Sequence, residues 1–341
     1  MSELKHYVLQ KSTGLTTFPN LEDAIEAAKQ GGVLWLNYCD PTKVELTALS
    51  VPLNIHPLVI EDCLDDNQIP KMDDYAHNTF ILFDSFSYIN NILAVHEVDL
   101  IVGENYLVTV SGKDANGKNV LAGVERLVEQ DIAAASQGPS FIAHNIIDSI
   151  VDQKFVIIDA LEDELNRFED IILDDHTKFK PAELVKLRRE LLAVRKSIFH
   201  EREVLIKITR KDSPHIPVKA IIYFRDIYDH LTKFFELTES ARDLVATLME
   251  MYLSILNNRL TSAANETNFS VRRLTVITTI FMPLTLLAGI GGMSEYSMMT
   301  GPENWRTAYL SFLAGMVVLG AINYIFIRWL EKRRTKKDED I

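Results

Sequence analysis

Cysteine is almost missing from this chain: Cys39 and Cys63 are the two among 341 residues, and no CxxC spacing occurs. A disulfide framework and a cysteine-built zinc site are therefore excluded, and a reducing compartment fits. Positive charge is also in deficit. The net charge is −13 and the pI about 5.2, so no nucleic-acid partner is expected. The first ten residues, MSELKHYVLQ, carry charge and no apolar stretch, so no signal peptide is expected. HExxH, G-x-S-x-G and nucleophile triads are absent, which leaves enzymatic chemistry without candidate residues. One segment comes close to a phosphate-binding loop: Gly112-Lys113-Asp114-Ala115-Asn116-Gly117-Lys118-Asn119. Its last position is Asn where a hydroxyl should hold Mg²⁺, and Asn-Gly is a common turn, so no nucleotide partner is expected.

Glycine and proline vanish from three long stretches. None occurs in 140–180, 182–213 or 218–282. Apolar residues at helical spacing, such as Ile146, Ile150, Phe155 and Ile158, make the first two stretches long antiparallel helices. The third follows Pro217, well placed to open a helix, and as a single helix it is roughly 100 Å long. A helix of that length cannot bury its apolar face alone. Association of several copies along it is the economical reading.

What is abundant is apolar sequence at the C-terminal end. Mean hydropathy is +0.03 despite 24% charged residues, so the apolar content is concentrated. Leu274–Met293 is twenty residues without a charge, and Thr307–Ile327 is a second such run. At about 1.5 Å per residue each is long enough for a hydrocarbon core of about 30 Å. Two runs so close together read as a helical hairpin in lipid, with Trp305, Tyr309, Tyr324 and Trp329 as interface aromatics. Arg272 and Arg273 precede the first run; Lys332, Arg333, Arg334, Lys336 and Lys337 follow the second. The positive-inside rule then places both termini in the cytoplasm and the short connecting loop outside, in a cell (inner or plasma) membrane protein.

Before the long helices, GGVLWLNY, NTFILFDSFSY, ILAVHEVDLIVG and NYLVTVSG read as strands, and EDAIEAAKQ, HPLVIEDCL and NVLAGVERLVEQ as helices. The expected fold class is an α/β N-terminal cytosolic domain plus a long-helix stalk and two transmembrane helices. The expected division is 1–138 cytosolic α/β domain, 139–215 cytosolic antiparallel helices, 216–273 stalk, 274–293 first transmembrane helix, 294–306 outer loop, 307–328 second transmembrane helix and 329–341 basic tail.

The first span carries Thr275, Thr278, Thr279, Thr285, Gly289, Gly291 and Gly292. Such residues tighten packing in any membrane helix. Their distribution is more telling: Leu274, Met282, Thr285 and Gly289 share one helical face, with Asn268 on its flank. A ring of first spans would line an axial pore with that stripe, and the plainer second spans would face lipid.

The segment LTVITTIFMPLTLLAGIGGMS resembles the first membrane helix of the CorA family of magnesium transporters, whose signature is a Gly-Met-Asn triplet after a TIFMPLTLLAG-type helix. YFRDIYDH (Tyr223–His230) and IPKMDDY (Ile69–Tyr75) resemble further family segments. The resemblance implies a funnel-shaped homopentamer, embedded in membrane lipids, that conducts Mg²⁺ and often Co²⁺ or Ni²⁺ along an axial pore. It implies pore positions at Asn268, Leu274, Met282, Thr285, Gly289, Gly292, Met293 and Ser294, with Glu295 supplying negative potential at the mouth or standing as a solvated loop charge. Leu274 and Met282 would be apolar constrictions; Thr285, the Gly289 carbonyl and Asn268 would offer oxygens to a hydrated ion. It further implies that cytosolic Mg²⁺ between subunits holds the pore closed, with Asp226 matching one acidic ligand. The partner position falls on Ile89, and Asp84 is the nearest carboxylate. An ordinary surface salt bridge is the other role open to Asp226.

Two departures stand out. The family's Asn is Ser294 here, and the usual aromatic before the triplet is Gly291. A serine hydroxyl is shorter and offers less than a carboxamide, so ion choice is open between Mg²⁺, a zinc or other transition-metal ion, and a membrane-anchored sensor or scaffold that does not conduct. About seven extra residues, near Thr261–Thr267, close to two helical turns, would lengthen the neck and keep the pore face. Glu162, Asp163, Glu164, Glu169, Asp170, Asp174 and Asp175 form an acidic run, either a solvated face or a loose divalent-ion sensor facing the basic tail.

Overall fold

In the computed structural model, residues 2–65, 68–211, 213–292, 301 and 303–338 are described, 330–338 as backbone. The chain forms two compact units, Met1–Tyr252 and Leu253–Ile341.

The first unit is built on one seven-stranded sheet: β1 (Glu3–Gln10), β2 (Gly14–Phe18), β3 (Val33–Cys39), β4 (Met72–Asp74), β5 (Asn78–Ile89), β6 (Ile92–Gly103) and β7 (Tyr106–Ser111). The spatial order is β2-β1-β3-β7-β6-β5-β4. Among the described residues only β3 and β7 run parallel; the other ladders are antiparallel. The four strands expected from sequence are β3, β5, β6 and β7. Three were not: β1, whose His6 and Lys5 interrupt the pattern, and the short β2 and β4, which pair at or near the edges. β3 is buried along its whole length, as the continuous run VLWLNYC demands. Fully buried Trp35 donates its indole N–H to Thr109 Oγ1 at 3.2 Å, so the one polar atom of the largest core side chain is paired.

Small helices cover one face: α1 (Leu21–Lys29), α2 (Lys43–Thr47), α3 (Ser50–Leu53) and α4 (Pro57–Asp62). Ala24, Leu46, Leu53 and Val59 from these helices pack on Leu34, Leu36, Phe80, Leu82, Ile101 and Val108 of the sheet. Local rules fix their starts. Thr42 and Glu45 form a reciprocal capping box, and Pro57 stands in the first turn of α4 while the His56 side chain accepts from the Leu58 N–H. After β7 come α5 (Val124–Gln130) and α6 (Ile132–Ala135). The helix expected to begin near Asn119 begins at Val124, because Gly123 at φ 93° breaks the approach.

Two long helices follow, α7 (Pro139–Asp175) and α8 (Pro181–Thr209), each opened by its proline. α9 (Val218–Gly291) is a single helix of 74 residues, and α10 (Trp305–Asp338) is the last element. α9 carries apolar Ala220, Phe224, Ile227, Leu231 and Phe234 into the core of the first unit, at the three- and four-residue spacing of one helical face. Beyond Tyr252 its side chains are largely exposed. The apolar windows of α9 and of Trp305–Trp329 are long enough to cross a membrane and are unburied.

Candidate pore face and metal-binding cluster

Within the second unit α9 and α10 pack by exchanging large and small residues. A Cβ on Gly291 would lie 2.7 Å from the Phe312 ring, and one on Gly320 would lie 3.5 Å from Leu284 Cδ1. Each glycine thus receives a bulky side chain of the other helix. The partly buried residues trace the seam: Val276, Ile280, Leu284, Leu287 and Gly291 on α9, and Ala308, Phe312, Met316, Gly320, Asn323 and Ile327 on α10. Pairing of 291 with 312 and of 284 with 320 makes the helices antiparallel. The seam also accounts for Gly291, where the family pattern expects an aromatic: Phe312 fills that space from the second helix.

The predicted stripe lies on the other side of α9. At about 100° per residue, Leu274, Met282, Thr285 and Gly289 share an arc of about 80°, roughly opposite the seam. All four are exposed, Leu274 at 64% and Met282 at 71%. Asn268 on the flank is exposed as well, and a Cβ on Gly289 would meet nothing within 4 Å. An open groove of mostly apolar character runs along Met282, Pro283, Thr285, Leu286, Gly289 and Ile290. Gly292 is exposed and closes the helix, its N–H donating to the Ala288 carbonyl at 3.0 Å. Met293, Ser294 and Glu295 lie outside the described residues.

The hydroxyls of this span have a defined polarity. Thr275, Thr278, Thr279 and Thr285 donate to the carbonyls four residues back, Thr285 to Phe281 at 2.9 Å. Their protons are spent inside the helix, so each oxygen faces outward as an acceptor. Pro283 lacks an N–H, which leaves the Thr279 carbonyl without its usual helical donor. Acceptor oxygens among apolar side chains suit a cation that keeps its water shell, since its water molecules are donors.

The two carboxylates singled out from sequence fall in different surroundings. Asp84 is 7% exposed on β5. Burial pushes its carboxyl above the usual range, opposed by Lys154 and by a hydrogen bond from Ser197. Beside it Lys154 and Glu201, both fully buried, form an ion pair, and Glu201 Oε1 accepts the Asp84 N–H at 3.0 Å. Asp226 is exposed on α9, one turn before His230. There Asp148, Asp152 and His230 offer ligand atoms that all lie within 4.8 Å of one another. Burial raises the Asp148 carboxyl, and Asp152 and Asp226 add to the effect while His144 and His230 oppose it. The cluster was not anticipated from sequence. Its signal was present as two one-turn pairs, Asp148/Asp152 and Asp226/His230, which helical geometry sets on facing surfaces.

The glycine-rich segment after β7 is no phosphate cradle. The Asp114 carboxylate accepts the N–H groups of Asn116 and Lys118, both at 2.9 Å, and Lys113 is paired with Glu3 and Asp40. The N–H groups of Asn116 and Lys118 and the Lys113 ammonium are thus already engaged, with a carboxylate occupying the turn where a phosphate would sit.

Residues 30–333 match the family described as CorA-like Mg2+ transporter protein. The chain belongs to that family. It is 33% identical over 283 residues, 82% of this chain and 76% of the relative, to the cobalt/magnesium transport protein CorA of Thermotoga maritima. The solved CorA magnesium transporter of Methanocaldococcus jannaschii superposes with a TM-score of 0.69 at 22% identity, covering 95% of this chain and 97% of that one. A zinc transport protein, ZntB of Yersinia enterocolitica, is 20% identical over 95% of both chains. As a CorA-family membrane protein this chain is a divalent metal cation transporter.

Proposed function

We propose that several copies of this chain, five in the arrangement expected from sequence, stand around an axis and conduct hydrated Mg²⁺, with Co²⁺ and Ni²⁺, along the α9 stripe. The observation that carries this reading is the separation of the two sides of α9: one is closed by α10, and the other presents Leu274, Met282, Thr285 and Gly289 exposed among the described residues. Leu274 and Met282 are the apolar constrictions, closed to water when the copies approach. Thr285 accepts hydrogen bonds from the ion's water shell, and the Gly289 carbonyl and Asn268 extend the row of oxygens. Both termini face the cytoplasm. A divalent ion entering down a potential of about 100 mV gains about 4.6 kcal/mol, so no nucleotide is needed.

Cytosolic Mg²⁺ closes the pore in this reading. The donor set that supports such a site is Asp148, Asp152 and His230 beside Asp226, with oxygen ligands in the majority. Asp84, committed to its buried group with Lys154 and Glu201, acts on gating through packing.

A second reading is transport of Zn²⁺ or another transition metal. It is favoured by Ser294 in place of the family's Asn and by the likeness to a zinc transporter. Uptake of Mg²⁺, Co²⁺, Ni²⁺ and Zn²⁺ into proteoliposomes, with and without a pH gradient, separates the two. Mg²⁺ uptake driven by potential alone supports the first; Zn²⁺ uptake that needs the pH gradient overturns it. Ser294→Asn should tighten Mg²⁺ selectivity in a protein that already conducts.

A further inference from the structure

Just before the uncharged run of α9 begins, one side of the helix forms a second groove, lined by Phe269, Arg272, Arg273, Val276 and Ile277. We propose that this groove binds an anionic phospholipid of the cytoplasmic leaflet, with its phosphate on Arg273 beside the charge of Arg272 and an acyl chain along Val276 and Ile277. The inference rests on the membrane reading of α9 and adds a ligand to it.

The lining matches such a molecule along its length. Arg272 and Arg273 stand at the polar end, and the aliphatic pair lies one turn further into the apolar run. A planar guanidinium suits a phosphate in a bidentate fork. The Arg273 guanidinium lies 4.4 Å from the Phe269 ring centroid, which orders the side chain before a ligand arrives. Phe269 and Ile277 are 56% and 54% exposed, so the groove is open among the described residues. Arg272 has a contact of its own, which makes Arg273 the principal phosphate contact.

Charge gives the groove its selectivity. The chain as a whole carries −13, and an anionic leaflet repels most of its surface. On α9 itself no carboxylate occurs between Glu266 and Gly291. The antiparallel seam brings the end of α10 beyond Trp329 to the same level, and its sequence there adds Lys332, Arg333, Arg334, Lys336 and Lys337 against Glu331 and Asp338, a net positive charge. Basic residues at a membrane surface attract anionic headgroups and lose that attraction in salt.

The test uses the full chain purified in a neutral detergent, with phosphatidylglycerol as the probe. Native mass spectrometry counts bound lipid, and the thermal unfolding midpoint reports its effect. Phosphatidylglycerol, and not phosphatidylcholine, should be retained and should raise the midpoint, and about 0.5 M NaCl should remove most of the gain. Arg273→Gln should weaken retention about five-fold, and Arg272→Gln with Arg273→Gln more than ten-fold. Paired lysine substitutions, which keep the charge and lose the planar fork, should retain binding between that of wild type and that of the double glutamine variant. Equal retention of both lipids, or a double variant that binds as wild type, overturns the proposal. So does an equal effect from free glycerol 3-phosphate, which makes the groove a plain anion site. If the double variant loses its oligomeric state with no change in lipid count, a second copy occupies the groove and the lipid assignment fails. Metal uptake is read in parallel: lost lipid binding with normal uptake leaves the transport reading intact, and absent uptake with selective lipid retention leaves the lipid site intact.

Discussion

Replacing Thr285 by valine removes one oxygen per copy from the α9 stripe and almost nothing else. Valine keeps the shape, and the hydroxyl being removed donates only to the Phe281 carbonyl at 2.9 Å, a bond whose loss is close to neutral for a helix that retains its backbone ladder. The oxygen's remaining acceptor capacity points outward and would take hydrogen bonds from the water shell of a passing ion. A net hydrogen bond in this setting contributes about 1 kcal/mol, so losing one contact slows passage about five-fold. If two copies hold the shell at once, the loss compounds to about thirty-fold. Thr285→Ser, which keeps the oxygen, should stay within about two-fold of wild type. The assay is the initial rate of Mg²⁺ and Co²⁺ uptake into proteoliposomes at a fixed potential, with the oligomeric state checked for each variant. Wild-type rates in a correctly assembled Thr285→Val protein would refute the assignment of that oxygen to the ion path. A rate lost equally in valine and serine variants would point to packing instead.

Three further outcomes follow from the same geometry. Leu274→Ser places a hydroxyl at an exposed apolar position of the stripe and should raise basal flux by wetting the constriction; tracer leak in divalent-free and divalent-loaded liposomes measures it. Asp148→Asn and His230→Ala remove members of the candidate regulatory cluster and should raise the Mg²⁺ concentration needed for closure about ten-fold, read as the midpoint of inhibition by Mg²⁺ on the cytoplasmic side. Asp84→Asn tests the buried group by pH. Its folded carboxyl is raised by burial, so its contribution to stability is full below the ordinary aspartate value of about 3.9 and is lost as pH rises through the raised value. The variant should therefore be more stable than wild type at neutral pH, with the difference vanishing in acid; chemical denaturation across that range decides it.

Much of this protein was legible in the chain because its signals are one-dimensional. Leu274–Met293 and Thr307–Ile327 declare themselves by length and lack of charge, since a lipid core tolerates little else. The unbroken stretch 218–282 became one helix because nothing in it interrupts the backbone ladder. The stripe Leu274, Met282, Thr285 and Gly289 followed from helical phase alone. What required the fold was every relation between distant segments. Sheet order, with β3 beside β7, depends on crossovers that no local pattern encodes. Only packing showed that Phe312 occupies the space above Gly291, which turns an apparent departure into a matched pair. Asp84 stood out only as the carboxylate nearest to Ile89, and the fold is what puts its side chain in a buried group with Lys154, Glu201 and Ser197, because a strand residue's exposure is set by what lies across the sheet. Asp148 and Asp152 met His230, with Asp226 close enough to act on the Asp148 carboxyl, only when α7 and α9 came together: a cluster is a matter of a few ångströms between atoms, and the sequence carries no distance between one helix and another.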